Sequence, residues 1–202
     1  IKIVELIVFN LGDEEFAADI EQVREIIRRG TITPIPDSPD FIKGVTNVRG
    51  EITVVIDLKA RFFLPLKREV ESKHIVITEQ EKNLYGLMVD EVSEVLRIPE
   101  KEIKSTPELV TRIDRVYMSG VITLENRLVI LIDLAKVLSE EELAKLAEFA
   151  QKHRPTREAR QRETKAEEAV EAQITQRETE ESAEVKISDS PDEKKEEAVP
   201  KK

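Results

Sequence analysis

The chain has 202 residues, of which 40% are hydrophobic and 37% are charged, and its formal net charge is −10. The acidic balance argues against general nucleic-acid binding, which needs a basic surface. The absence of cysteine excludes disulfide bonds and thiolate metal sites and fits a reducing compartment. Because no apolar run is long enough to span a bilayer, we expect no direct insertion into a membrane.

The first thirty residues predict a β-hairpin followed by a helix. Residues 3–11 are typical of a mostly buried strand, and 16–18 of a short strand that returns after a turn. Asp19 is in place for a helix N-cap, with Gln22 in the capping-box position. Gly30 would end this helix. Four residues form its apolar stripe at helical spacing: Ile20, Val23, Ile26 and Ile27.

A second hairpin is predicted around Arg49 and Gly50. It follows a turn-rich passage, 33–39, in which Ser38 and Pro39 suit the cap and first position of one helical turn through residue 43. Two β-branched runs flank Arg49-Gly50, where glycine supplies the positive φ of a tight turn. Arg49 is therefore predicted to lie at an exposed hairpin tip, where packing does not require a cation.

Residues 120–134 repeat the spacing of residues 44–58. Both stretches begin with Gly-Val and end with Ile-Asp-Leu, and Glu125 and Asn126 stand at the second turn. A weaker echo relates 92–96 to 23–27. The repeats predict two related β units, in too few copies for a solenoid or a propeller.

The remaining elements follow from local patterns. We expect a short helix or turn at 59–63, and a capping box at Ser139-Glu140-Glu141-Glu142 opens a last helix that Pro155 would end. Further strands are predicted at 74–79, 84–89 and 92–98, and a strand or loop near 115–117. Residues 1–151 then form one domain, and the charged segment 152–202, which has no aromatic residue, is predicted to be disordered.

Catalytic and metal-binding readings find little support in the sequence. The chain has two histidines and six glycines, and no glycine-rich phosphate loop. Asp57 and Asp133 each follow an apolar strand, which favours capping of the next turn over acid–base chemistry. We expect no catalytic residue, no cofactor and no metal.

Arg49 indicates a protein-binding module. We expect Glu25 to lie near the solvent-facing border of the first helix, beside Val23, and Lys43-Gly44 leads directly into the hairpin. A fixed arginine beside apolar and acidic groups is typical of protein contact sites, where arginine is enriched. The residues alone lead no further than this class of function.

Six segments of the chain carry one further signal when they are taken together: LIVFNLGDEEF (6–16), VREI (23–26), FIKGVTNVRG (41–50), VIDL (55–58), YGLMVDEVSEVL (85–96) and LIDL (131–134). In this order, and across nearly all of residues 3–147, they resemble the CheW family. One departure is Val54, where many relatives have proline before the Val-Ile-Asp-Leu step.

The resemblance implies a mainly β fold of two intertwined five-stranded SH3-like β-barrels, with short helices and a C-terminal helix. It implies a non-catalytic cytoplasmic adaptor that joins the cytoplasmic tip of chemoreceptors to the CheW-like regulatory domain of the histidine kinase CheA. By match to the family, the receptor-facing groove would contain Val23, Glu25, Gly44, Arg49 and Gly50. The kinase contact would lie around Gly86, Val89 and Asp90.

Two other readings stay open from the sequence. One is a CheW-like scaffold of a different kinase pathway, for instance one that controls pili or development. The other is a small ligand-binding regulatory enzyme whose groove has its own substrate. Because the chain has no phosphotransfer or ATPase region and no room for a receiver domain, a stand-alone adaptor is the simplest version.

Overall fold

Runs of β-branched and aromatic residues form two five-stranded sheets in the computed structural model. The structure describes residues 1–65, 67, 70–105, 113–152, 169 and 172. Every element below belongs to one compact unit, Ile1–Arg154. Apart from Lys152, Ala169 and Ala172, the predicted disordered tail lies outside the described residues.

The two sheets have the same internal order. The first sheet contains β1 (Ile3–Leu11), β2 (Glu14–Asp19), β8 (Glu91–Pro99), β9 (Met118–Leu124) and β10 (Arg127–Ile132), in the order β8-β1-β2-β10-β9. The second contains β3 (Glu25–Arg28), β4 (Ile42–Val48), β5 (Glu51–Asp57), β6 (His74–Gln80) and β7 (Asn83–Val89), in the order β3-β6-β7-β5-β4. We call the two units the first barrel and the second barrel. The predicted fold of two β units is confirmed.

The barrels are intertwined because each exchanges an edge strand with the other. β3 follows the β1–β2 hairpin of the first sheet but pairs with β6 of the second. β8 follows the β6–β7 hairpin of the second sheet but pairs with β1 of the first. The two segments related by the weaker sequence echo are therefore equivalent edge strands, and the stronger repeat corresponds to the hairpins β4–β5 and β9–β10.

Each barrel has a small core of its own, and a larger core joins them. The first barrel's core includes Leu6 and Leu131, and the second barrel's core includes Val55 and Ile77. The shared core contains residues from both sheets, and Phe9, Phe16, Phe62 and Tyr117 form a chain of ring contacts there. Burying apolar surface between the barrels fixes their relative position.

The helix predicted after Asp19 is wrong. Asp19 does cap a turn, accepting from the backbone N–H of Glu21, but the turn is a 3₁₀ helix of three residues, Ile20–Gln22. The chain then extends as β3, which places Ile27 against the second barrel's core and leaves Ile26 exposed. Pairing with β6 satisfies the backbone here, and β-branched isoleucines suit a strand better than a helix. Gly30 therefore ends no helix.

The helical turn predicted from Ser38 through residue 43 is also wrong. β4 begins at Ile42, inside that range. The Ser38 hydroxyl donates to the carbonyl of Ile35, 2.8 Å away, instead of capping a helix. The residues from Ile42 form a strand because they pair with β5, which satisfies backbone groups on that side of β4.

The caps predicted at Asp57, Asp133 and Ser139 are confirmed. Asp57 accepts from the backbone N–H of Lys59 and Ala60 at the start of α1 (Leu58–Arg61), and Asp133 accepts from Ala135 at the start of a 3₁₀ turn. Ser139 and Glu142 form the reciprocal capping box that opens α2 (Glu140–Lys152). Residues 115–117 form a 3₁₀ turn.

A buried ion pair lies at the junction of the two barrels. The Lys59 ammonium donates to Asp90 Oδ1 at 2.5 Å and to the Val70 carbonyl at 2.6 Å, and both charged side chains are less than 10% exposed. Asp90 also accepts from the backbone N–H of Gly12 at 2.7 Å and from the Ser72 hydroxyl at 3.1 Å. Since Gly12 belongs to the first barrel and Lys59 follows the second barrel's β5, Asp90 holds the two barrels together.

We predict that Lys59→Met lowers the free energy of unfolding by about 3 kcal/mol or more, because it leaves the Asp90 carboxylate buried without its cation. Urea denaturation measures this change. Lys145→Met is the matched control: it removes the exposed pair with Glu141 and should have little effect. Equal stability of the two variants would show that the buried pair does not hold the junction.

Candidate functional site

Arg49 lies at the tip of the β4–β5 hairpin, as predicted. Arg49 and Gly50 have φ values of +51° and +81°, as the two central residues of a type I′ turn require, and Val48 pairs with Glu51 to close the turn. A left-handed conformation costs a residue with a side chain some strain. The turn therefore holds a long cation in a conformation for which glycine or asparagine is the usual choice.

Glu25 of β3 pairs with Arg49. Arg49 Nε lies 3.2 and 3.1 Å from the two carboxylate oxygens of Glu25, and Nη2 lies 3.1 Å from Oε2. Hydrogen bonding to Glu25 and the charge of that carboxylate raise the pKa of Arg49 above its usual value. The arginine side chain is nevertheless 82% exposed, whereas that of Glu25 is 21% exposed. The pair orients the guanidinium without burying it.

The Arg49–Glu25 pair borders a cleft of about 310 Å³, to which Val48 and Leu84 contribute apolar surface. Arg24 lines both this cleft and a neighbouring one of about 460 Å³, whose lining includes Val23. The structure thus brings Val23, Glu25 and Arg49 to one side of the second barrel, and Gly50 follows Arg49 in the turn.

Gly44 lies within β4 of the same hairpin and packs closely against a neighbouring backbone segment. It is buried, has φ of +144°, and lines neither cleft. A Cβ atom there would lie 2.0 Å from the carbonyl oxygen of Thr33, which pairs with Val45 along the edge of β4. Gly120 is its counterpart, since Lys104 pairs with Val121 and a Cβ on Gly120 would lie 2.7 Å from the Lys104 carbonyl oxygen. In each repeat, the glycine of the Gly-Val pair leaves room for the backbone of another segment to pair with the strand.

The three residues predicted to contact the kinase are buried. Val89 and Asp90 are 0% and 3% exposed, and Asp90 is engaged at the junction between the barrels. Gly86 is buried in β7, where a Cβ atom would lie 2.7 Å from the Ile75 side chain. These residues face the core or the junction between the barrels, and the kinase contact around them stays a prediction.

Sequence reasoning missed several charged neighbours. Arg24 pairs with Glu79 at 2.5 Å beside the cleft, and Glu51 contributes to its lining. The first barrel has a similar pair, in which Arg127 of β10 contacts Glu94 of β8 and Glu15 of β2. The sequence held a signal for this, because Glu94 occupies the place of Glu25 in the weaker echo.

The described part of the chain contains neither a metal-binding cluster nor a membrane-spanning helix. No group of three or more histidine, aspartate or glutamate side chains is placed to hold a metal ion there. None of the helices described is long and apolar enough to cross a membrane.

Comparison with known proteins gives consistent matches. A family model described as the CheW-like domain matches residues 5–142. The "Chemotaxis protein CheW" of Klebsiella aerogenes is 37% identical over 149 residues, which cover 74% of this chain and 90% of that protein. The protein of the same name from Rhizobium meliloti is 36% identical over 139 residues, which cover 68% and 89% of the two chains.

A solved structure is also similar. The crystal structure of scaffolding protein TtCheW from Thermoanaerobacter tengcongensis matches with a TM-score of 0.63 and 35% sequence identity. The match covers 69% of this chain and 90% of that one.

We predict that Gly44→Ala destabilises the domain by about 3 kcal/mol, because the new Cβ meets the Thr33 backbone and the positive φ is strained. Gly30→Ala is the control, since nothing lies within 4 Å of the added methyl group. Thermal unfolding of the two variants measures the difference. A Gly44→Ala protein as stable as Gly30→Ala would contradict the structural role of Gly44.

Proposed function

This chain belongs to the CheW family of chemotaxis coupling adaptors, and we propose that it joins the cytoplasmic tip of chemoreceptors to the histidine kinase CheA without catalysing a reaction. The family match over residues 5–142 and the similarity to a scaffolding protein support this function. On this proposal the protein works in the cytoplasm and reaches the membrane only through its partners. The named chemotaxis relatives favour this function over a scaffold of another kinase pathway or a regulatory enzyme.

The receptor contact is proposed to centre on the Arg49–Glu25 pair, which is the observation that carries the assignment. An arginine that is 82% exposed and already oriented by a carboxylate can form a charge-assisted hydrogen bond with an acidic or carbonyl group of a partner at little cost in side-chain entropy. Val48 and Leu84, which line the cleft beside it and are 4% and 7% exposed, would add a small apolar contact with the same partner.

The other predicted receptor residues have supporting places in this proposal. Val23 packs partly against the shared core and lines the neighbouring cleft, so it would extend the apolar contact. Gly50 allows the turn that presents Arg49. Gly44 would contribute indirectly, because it leaves room for the backbone of Thr33 along the edge of β4.

For the kinase, the proposed partner surface is the regulatory domain of CheA that resembles this chain. Gly86, Val89 and Asp90 would contribute indirectly, by fixing β7 and the junction between the barrels. An adaptor of this kind transmits a receptor's state by contact, which requires that the two barrels move as one body. The shared core and the Lys59–Asp90 pair supply that stiffness.

We predict that Arg49→Glu weakens co-sedimentation with receptor arrays by roughly tenfold or more, because the substitution places two carboxylates side by side at the contact. Thermal stability should be nearly unchanged, since the arginine is exposed. Binding to CheA should also stay close to that of the parent protein.

Arg97→Glu is the matched control, because Arg97 is 75% exposed and pairs with Glu5 at 2.6 Å on the first barrel. It changes the net charge by the same amount at a different surface and should leave receptor binding intact. Receptor binding by the Arg49→Glu protein at the level of the Arg97→Glu protein would remove Arg49 from the contact.

A further inference from the structure

A separate groove opens at one end of the first barrel. Its volume is about 670 Å³. Its apolar lining is Val4, Leu6, Ile103, Leu131 and Ile132. Its polar lining is Lys2, Asp19, Glu21, Gln22, Glu100, Ser119 and Asp133. We call this the end groove. Four of its apolar residues, all except Ile132, also belong to or pack against the first barrel's own core. Val4 and Ile103 are the partly exposed members of these four, whereas Leu6 and Leu131 are buried.

The rim of the end groove is strongly acidic. Asp19, Glu21, Glu100 and Asp133 supply four carboxylates, against one ammonium from Lys2. Some of their oxygens are already used: Asp133 Oδ1 accepts from the Gln22 amide at 2.7 Å, Asp133 Oδ2 lies 3.7 Å from the Lys136 ammonium, and Asp19 Oδ1 accepts from the Glu21 backbone at 2.9 Å. The excess of negative charge beside apolar surface favours a ligand that is both cationic and partly aliphatic.

Lys2 shows that the rim attracts an ammonium group. Its Nζ lies 3.0 Å from Glu100 Oε1 while 70% of the side chain stays exposed. Hydrogen bonding and charge from Glu100, with smaller contributions from the charges of Glu21 and Asp19, raise the pKa of Lys2. Carboxylates from two separate parts of the chain, the turn that holds Asp19 and Glu21 and the turn that holds Glu100, thus act on one point in front of the groove.

We propose that the end groove binds a lysine- or arginine-bearing segment of a partner protein. The aliphatic stem of a lysine or arginine would lie on Val4 and Ile103, and its charged head would reach the carboxylates of the rim. The groove is an open cleft and not an enclosed cavity, so it accepts side chains from a segment whose backbone stays outside. A small molecule would leave much of its own surface in water there, unlike ligands of closed pockets.

This inference does not rest on the proposed receptor contact. The end groove shares Glu21 and Gln22 with the cleft that contains Val23, but neither Arg49 nor Glu25 lines it. An Arg49→Glu protein should therefore bind a basic segment at the end groove as the parent does, which separates failure of one proposal from failure of the other.

The test uses the full chain and a synthetic twelve-residue peptide of alternating lysine and leucine, with a glutamate–leucine peptide for comparison. In NMR titrations, amide shifts should concentrate at Val4, Ile103 and Ser119 with the lysine peptide and be absent with the glutamate peptide. Affinity should fall as salt concentration rises, because the rim carboxylates are exposed to solvent.

Glu21→Gln combined with Glu100→Gln should weaken the lysine peptide by at least about fivefold. The matched control is Glu141→Gln with Glu148→Gln, which removes the same charge from α2, where each glutamate also pairs with a lysine. Ser119→Trp narrows the groove without changing charge and should weaken binding too. Equal weakening by the control pair, unchanged binding by Ser119→Trp, or shifts spread over other acidic surfaces would overturn the proposal.

Discussion

The exchange of edge strands between the two sheets is the constraint on which the rest of the structure depends. β3 leaves the first barrel to complete the second, and β8 leaves the second to complete the first. Neither barrel has its full set of strands without chain from the other half. This exchange brings Glu25, the first residue of β3, next to Arg49 on a different hairpin.

The junction then makes the exchange rigid. Asp90 stands where the chain crosses from β7 to β8 and receives hydrogen bonds from the first barrel, from α1 and from the segment before β6. Gln22 forms a second link, because its side chain bonds both Asp133 and the backbone of Leu134. Arg61 forms a third, holding α2 through Glu142 while its guanidinium lies over Phe41. These links keep the two barrels in a fixed arrangement, as a scaffolding adaptor requires.

The charge distribution of the surface follows the same division. The second barrel presents an exposed arginine that a carboxylate orients, whereas one end of the first barrel presents carboxylates around apolar surface. The surface around Arg49 therefore favours an acidic partner group, and the end groove favours a basic one. The carboxylates of the end groove contribute to the net charge of −10, which also favours solubility.

Local sequence determined the elements whose hydrogen bonds close within a few residues. The turn at Arg49-Gly50, the aspartate caps at Asp57 and Asp133, and the Ser139 capping box all formed where the pattern indicated. The internal repeat also indicated two β units, and the likeness to a known family supplied their SH3-like, intertwined form.

Only the tertiary structure decided features that depend on distant partners. Ile20, Val23, Ile26 and Ile27 satisfy a helical stripe, yet pairing with β6, some fifty residues later, made the segment from Glu25 a strand. The sequence does not show that the Thr33 backbone packs against Gly44, nor that Lys59 forms a buried ion pair with Asp90. A hydrophobic pattern shows which residues are apolar. The conformation of the backbone also depends on hydrogen-bond partners and apolar contacts that come from distant parts of the chain.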